Sequence, residues 1–197
     1  MMISGIILAA GMSTRMGEPK ALLDWGGQPL ICYQVRQLQE AGVDEVIVVL
    51  GYRADDVQRQ MRQLKCRVML NPRYQMGRAA SLRIGAKAAN RDADAILILN
   101  VDSPRPAAFL KSLIEAHKPD SVITRPVFQG RHGHPIVVNG GLRPELLAVE
   151  DNSGGLRAVV EAHRSEINDL PSDASCEVEF NTPEEYEAAR RFFGVLV

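Results

Sequence analysis

Leu8-Ala9-Ala10-Gly11-Met12-Ser13-Thr14-Arg15-Met16-Gly17-Glu18-Pro19-Lys20 combines the residue types that hold polyphosphate. Glycine lets backbone N–H groups come close to phosphate oxygens, and successive N–H groups make an anion-binding concavity. Arg15 offers a planar fork and Lys20 a mobile point charge. The spacing is neither G-x-x-x-x-G-K-[ST] nor G-x-G-x-x-G, which excludes a Walker loop and a dinucleotide fingerprint. On composition alone, an ordinary strand-to-helix connection accounts for the segment equally well.

Five further segments carry candidate chemistry. Asp102 follows the apolar run Ala95–Asn100, where ligands bind in open α/β sheets, and its carboxylate suits Mg²⁺; a turn or cap before Pro104 is the competing account. Asn71 to Leu82 reads as a turn opening a helix, whose N–H groups suit an anion or a base edge. His132 and His134 stand at i, i+2, which on a strand puts them on opposite faces, so a solvated hairpin is favoured over a metal site. Asp151 to Arg157 is an acidic, glycine-rich helix start. Glu179 and Asn181 precede Thr182-Pro183-Glu184-Glu185, a threonine cap with proline at the first helical position.

The elements that must position these residues alternate. Strands are expected at Gly5–Ala10, Glu45–Leu50, Arg67–Leu70, Ala95–Asn100, Ser121–Thr124, Pro135–Val138 and Glu177–Phe180. Helical spacing appears at Ile31/Val35/Leu38, Val57/Met61/Leu64, Leu82/Ala86/Ala89, Leu110/Leu113/Ile114/His117 and Leu156/Val159/Val160/His163, and Gly42 stands at a helix end. This alternation predicts an α/β fold with a mostly parallel sheet. At 197 residues, one domain spanning 1–197 is expected.

The balance of 23 basic against 24 acidic residues leaves no basic stripe for nucleic acid. Cys32, Cys66 and Cys176 are odd in number and form no C-x-x-C, so reduced thiols in a cytoplasmic protein are expected. Ile3–Ala10 lacks a charged start and opens into a charged loop, so it is not read as a signal peptide, and no apolar run is long enough to cross a membrane.

The string L-A-A-G-x-S-x-R-M-G-x-x-K resembles the signature loop of the molybdenum cofactor cytidylyltransferases and their guanylyltransferase relatives. The resemblance continues in order along nearly the whole chain. It implies a Rossmann-like three-layer sandwich of the nucleotide-diphospho-sugar transferase type. It also implies that Leu8, Ala9, Ala10, Gly11, Ser13, Thr14 and Gly17 bind the nucleotide, with Gly77 and Ser81 near the base and Asn71 shaping that loop. Arg15, Lys20 and Asp102 would be catalytic, Asp102 binding magnesium. His134, Asp151 and Gly155 would face the acceptor.

Relatives usually carry aspartate-x-aspartate where this chain has Glu179 and Asn181. Either residue still offers oxygen to Mg²⁺, but asparagine brings no charge. In relatives Leu-Ala-Ala-Gly goes with CTP and Leu-Ala-Gly-Gly with GTP, so Ala10 implies CTP, with molybdopterin as acceptor and transient contact with a molybdoenzyme or its chaperone. A sugar- or polyol-phosphate nucleotidyltransferase and a non-catalytic nucleotide-binding module are the alternatives. The expected reaction is attack by an acceptor phosphate oxygen on the α-phosphate, with pyrophosphate leaving.

Overall fold

Apolar runs with no polar face form interior strands, buried on both sides. The computed structural model describes residues 1–195. Among them β1 (Ile3–Ala9), β2 (Glu45–Leu50), β3 (Arg67–Leu70), β4 (Ala95–Asn100), β5 (Ile123–Phe128), β6 (Arg131–His132), β7 (Ile136–Asn139) and β8 (Ile167–Pro171) form one sheet. Its order is β3-β2-β1-β4-β7-β5-β6, with β8 beside β5. β1, β2, β3 and β4 pair in parallel, β7 runs antiparallel to β4 and β5, and β8 is parallel to β5. The sheet is therefore mostly parallel, as the alternation of elements predicts.

Helices α1 (Leu30–Glu40), α2 (Ala54–Gln60), α3 (Arg78–Ala88), α4 (Ala107–Ala116), α5 (Arg143–Ala148), α6 (Leu156–Ala162) and α7 (Pro183–Phe192) cover both faces. Alternation along β1 shows why there are three layers. Ile7 joins the core beneath α1 and α4, with Leu38, Leu97 and Leu110; Ile6 joins the opposite core beneath α3 and α5, with Ala86, Ile96 and Leu146. Each of these residues is fully buried, and full burial of a leucine or isoleucine side chain contributes about 1.5–3 kcal/mol. α7 starts with the expected capping box: Thr182 accepts from the Glu185 N–H, and the Glu185 side chain accepts from the Thr182 N–H. Gly42 follows the end of α1 with φ of 89°, as a helix-terminating glycine does.

Some sequence expectations fail locally. Glu177–Phe180 is not a strand. Ala174–Glu177 is a 3-10 turn, and the extended residues after it pair with no neighbouring strand, because their backbone groups go elsewhere. The Cys176 and Val178 carbonyls accept from Arg105, and the Phe180 N–H donates to the Asp102 carbonyl. β8 replaces it in the sheet; its half-exposed sequence Ile-Asn-Asp-Leu-Pro lacks an apolar run. The strand expected at Ser121–Thr124 begins at Ile123 and runs on to Phe128. Residues 129–133, expected as loop, include the two-residue strand β6. α2, α4 and α6 end before Met61, His117 and His163, which stand at their carboxyl caps.

Candidate active site

β1 and β4 are neighbours, while β2 and β3 lie on the far side of β1, so the chain changes direction across the sheet between β1 and β4. That is the position where open α/β sheets bind nucleotides, beyond the carboxyl ends of the strands. A cleft of about 340 Å³ opens there. Its walls include Leu8 and Ala9 from the end of β1, and Ala10, Gly11, Ser13, Thr14, Arg15 and Lys20 from the loop after it. Gly77 and Ser81 line it from the start of α3, and Asp102 and Asn181 close its inner end.

The loop is shaped by its own hydrogen bonds. Met16 N–H donates to the Ser13 carbonyl at 2.8 Å, and Lys20 N–H to Ser13 Oγ at 3.1 Å. This folding-back carries Lys20 inward, where it is 8% exposed, while Arg15 stays exposed. Lys20 Nζ donates to Asp102 Oδ2 at 2.8 Å and to Asn181 Oδ1 at 2.9 Å, and lies 5.9 Å from the centre of the Phe180 ring. Lys20 and Asn181 are 161 residues apart in sequence. Val101 N–H continues the pairing with β1 by donating to the Leu8 carbonyl at 3.1 Å. The fully buried Gln34 on α1 donates to the Val101 carbonyl at 3.1 Å. The turn bearing Asp102 is thus held from two sides.

The other expected site residues sit apart from the cleft walls. Asn71 is buried and donates to Ser81 Oγ at 2.9 Å, so it braces a wall without forming one. Gly17 lies in the loop beyond the walls, and Gly155 precedes α6. Asp151 caps α3 from a distant loop: its Oδ1 accepts from the N–H groups of Arg78 at 2.9 Å and Ala79 at 3.1 Å. The anion at this helix end is the protein's own carboxylate. Gly77 is required beside it. Its φ is 122°, and a Cβ there would collide with the Asp151 carboxylate.

His134 and Glu179 line a second cavity of about 430 Å³, together with Ser103, Arg105, Arg131 and Cys176. Burial pushes the His134 imidazole below its ordinary pKa, against an opposing pull from Glu179. Ser103 Oγ is fully buried and has no hydrogen-bond partner among the described residues. Arg105 is 1% exposed, and burial pulls its guanidinium down to about 10.

Three contributors escape the sequence reading. Tyr74 lines the cleft, Arg78 places Nη2 4.0 Å from Asp102 Oδ2, and Arg105 binds four carbonyls. The position of Arg78 directly after Gly77, at the start of a helix, was the available signal for it. Arg105 had none, since its partners lie in distant segments.

Among the described residues no group of three His, Cys, Asp or Glu side chains is arranged to hold a metal. Mg²⁺ needs less from a protein when phosphates supply ligands: one or two carboxylates suffice. Asp102 Oδ2 and Asn181 Oδ1 already converge on one cation, the Lys20 ammonium. That oxygen pair fits a divalent ion brought with a triphosphate; Glu179 faces the second cavity instead.

A cleft at the switch point of a three-layer α/β sheet, walled by a glycine-containing loop with one exposed and one buried cation, is that of a nucleotide-binding α/β protein. Residues 5–167 match the MobA-like NTP transferase domain, and the chain belongs to that nucleotidyltransferase family. It is similar to nicotine blue oxidoreductase of Paenarthrobacter nicotinovorans, 29% identical, with 79% of each chain covered. It is 34% identical to the bifunctional protein GlmU of Syntrophomonas wolfei over 60% of this chain, which spans only 26% of GlmU. A solved nucleotidyl transferase from Methanothermobacter superposes with a TM-score of 0.83 at 28% identity, covering 98% of this chain and 97% of that one.

Proposed function

We propose that the protein transfers CMP from CTP to a phosphorylated acceptor, molybdopterin, releasing pyrophosphate. An acceptor phosphate oxygen attacks the α-phosphorus, and the bond from that phosphorus to the bridging oxygen of the β-phosphate breaks. Such a reaction asks the protein for alignment and charge neutralisation. The observation that carries the reading is the Lys20 ammonium, set between Asp102 and Asn181 at the inner end of a cleft walled by the loop after β1.

In this reading backbone N–H groups from Gly11 to Gly17 hold the β- and γ-phosphates, and Arg15 meets them at the exposed mouth. Lys20 moves from Asp102 toward the α-phosphate and neutralises charge that builds as pyrophosphate departs. Asp102 and Asn181 would hold Mg²⁺, which supplies further neutralisation of phosphate charge when bound. Gly77 and Ser81, with Tyr74 nearby, line the part of the cleft assigned to the base. Ala10, 5% exposed in the wall, is the position whose side chain selects the smaller pyrimidine. Support for the acceptor's place comes from His134 in the adjoining cavity. Handing the product to a molybdoenzyme or its chaperone is part of the same proposal.

The test is pyrophosphate release with each nucleoside triphosphate, with and without molybdopterin or sugar-phosphate acceptors. Release with CTP and molybdopterin is expected. Equal turnover of GTP removes the donor assignment, and turnover only with a sugar phosphate replaces the acceptor. Binding without release makes the protein a nucleotide-binding module, a reading that the uncharged Asn181 favours.

A further inference from the structure

Arg105 is the most deeply buried charged side chain among the described residues, and its partners are main-chain carbonyls rather than a carboxylate. Nε donates to His134 at 2.9 Å, Nη1 to Pro104 at 2.7 Å and Val178 at 2.9 Å, and Nη2 to Cys176 at 2.7 Å. A planar guanidinium with five N–H groups meets such a set; an ammonium, with three donors on one atom, does not.

The carbonyls belong to three separate segments. One is the turn carrying Asp102, the second holds His134, and the third leads from Cys176 to Asn181. Two more bonds cross the same junction: Phe180 N–H donates to the Asp102 carbonyl at 3.2 Å, and His134 N–H to the Cys176 carbonyl at 2.9 Å. Asp102 and Asn181, which converge on one cation, are therefore carried by segments joined through Arg105. The guanidinium also lies 5.7 Å from the centre of the Phe109 ring on α4, which fixes the clamp to the sheet's covering layer.

We propose that Arg105 is a positioning residue: by gripping Pro104, Cys176 and Val178 together, it sets the spacing between the Asp102 carboxylate and the Asn181 amide oxygen that a metal-bound triphosphate requires. The proposal rests on the function given above. It adds that the backbones carrying the metal-facing oxygens are joined to each other by this arginine, whereas the phosphate loop is shaped by its own turns and reaches those oxygens only through the Lys20 side chain.

Two measurements on Arg105→Met and Arg105→Lys test it. In the unliganded protein, amide hydrogen exchange at His134 and Phe180 should accelerate about tenfold or more in Arg105→Met, with β1 and β2 unchanged. CTP binding is then titrated with and without Mg²⁺. Metal-free affinity should stay within about twofold, while the gain from Mg²⁺ falls about 10- to 100-fold, with Arg105→Lys intermediate. A residue that merely supports the fold would lower stability in both variants and leave the Mg²⁺ gain intact.

Unchanged exchange at Phe180, or an undiminished Mg²⁺ gain, overturns the proposal. If Arg105→Met does not fold, Gly133→Ala takes its place, because a Cβ at Gly133 would collide with the Cys176 carbonyl that Arg105 and His134 share. Should the wild-type protein bind no triphosphate, the proposed function fails, and the exchange measurement still decides whether Arg105 joins the segments.

Discussion

Two buried cations stand near the carboxyl end of β4, and they are held in opposite ways. Lys20 meets a carboxylate and a side-chain amide at the end of a mobile stem, whereas Arg105 meets four backbone carbonyls through a rigid fork. A lysine so placed can exchange partners, because an arriving phosphate or metal replaces what it leaves. The arginine cannot move without giving up four carbonyl bonds at once, and a buried carbonyl left unpaired costs about 1–3 kcal/mol. The contrast teaches how neighbouring charges can be held for different work: in the proposed reaction the lysine would travel, and the arginine would fix the frame through which it travels.

The largest expected effect bears on the movable charge. Lys20→Ala should lower turnover on the order of a hundredfold or more. Unchanged turnover would mean that the ammonium only balances Asp102. The same variant strands a buried carboxylate, and should lower stability by about 1–3 kcal/mol, the open cleft admitting water that limits the loss. Adding Asp102→Asn should restore most of that stability, read by urea unfolding, without restoring turnover. A double variant as unstable as the single one would show that the stranded carboxylate is not what destabilises Lys20→Ala.

Gly77→Ala tests the wall between the two regions. A positive φ and a collision with Asp151 predict about 1–3 kcal/mol of destabilisation. Asp151→Ala alone removes the α3 cap and should cost about 1 kcal/mol. A larger loss for Asp151→Ala than for Gly77→Ala would reverse the roles of strain and capping at this corner.

The smallest effect is on pH. Burial lowers the imidazole pKa of His134 and of His117 from the ordinary 6.5. Just below that value the unfolded chain binds more protons than the folded one, so stability rises with pH there. Their contribution is complete above about pH 6.5 and is lost as pH falls toward the folded values. His163 works in the other sense: hydrogen bonds to Glu166 and Glu145 raise its pKa, and its contribution fades as pH rises through the folded value. The urea midpoint should be lower at about pH 5.5 than at about pH 7, and His117→Gln should shrink the difference. A midpoint that climbs toward acid would contradict this balance.

The same contrast separates what was legible in the chain from what was not. Apolar runs announce strands, so the interior β2 and β4, and the edge strand β3 with its Val-Met-Leu, fall where the sequence puts them. The loop after β1 is legible too, because its glycines, hydroxyls and cations lie within one short stretch. β8 is not legible: an edge strand exposed on one side needs no apolar run. Glu177–Phe180 misleads for the opposite reason, being rich in strand-forming residues whose backbone is bound elsewhere.

By itself, then, the sequence determined the α/β architecture, the phosphate-type loop and the capped final helix, since each follows from residues within a few positions of one another. Tertiary structure alone decided that Lys20 meets Asn181 across 161 residues, that Asp151 caps α3 and that Arg105 joins three segments. The physical reason is that every buried backbone or charged group must find a partner, and local pattern does not say which distant segment supplies it.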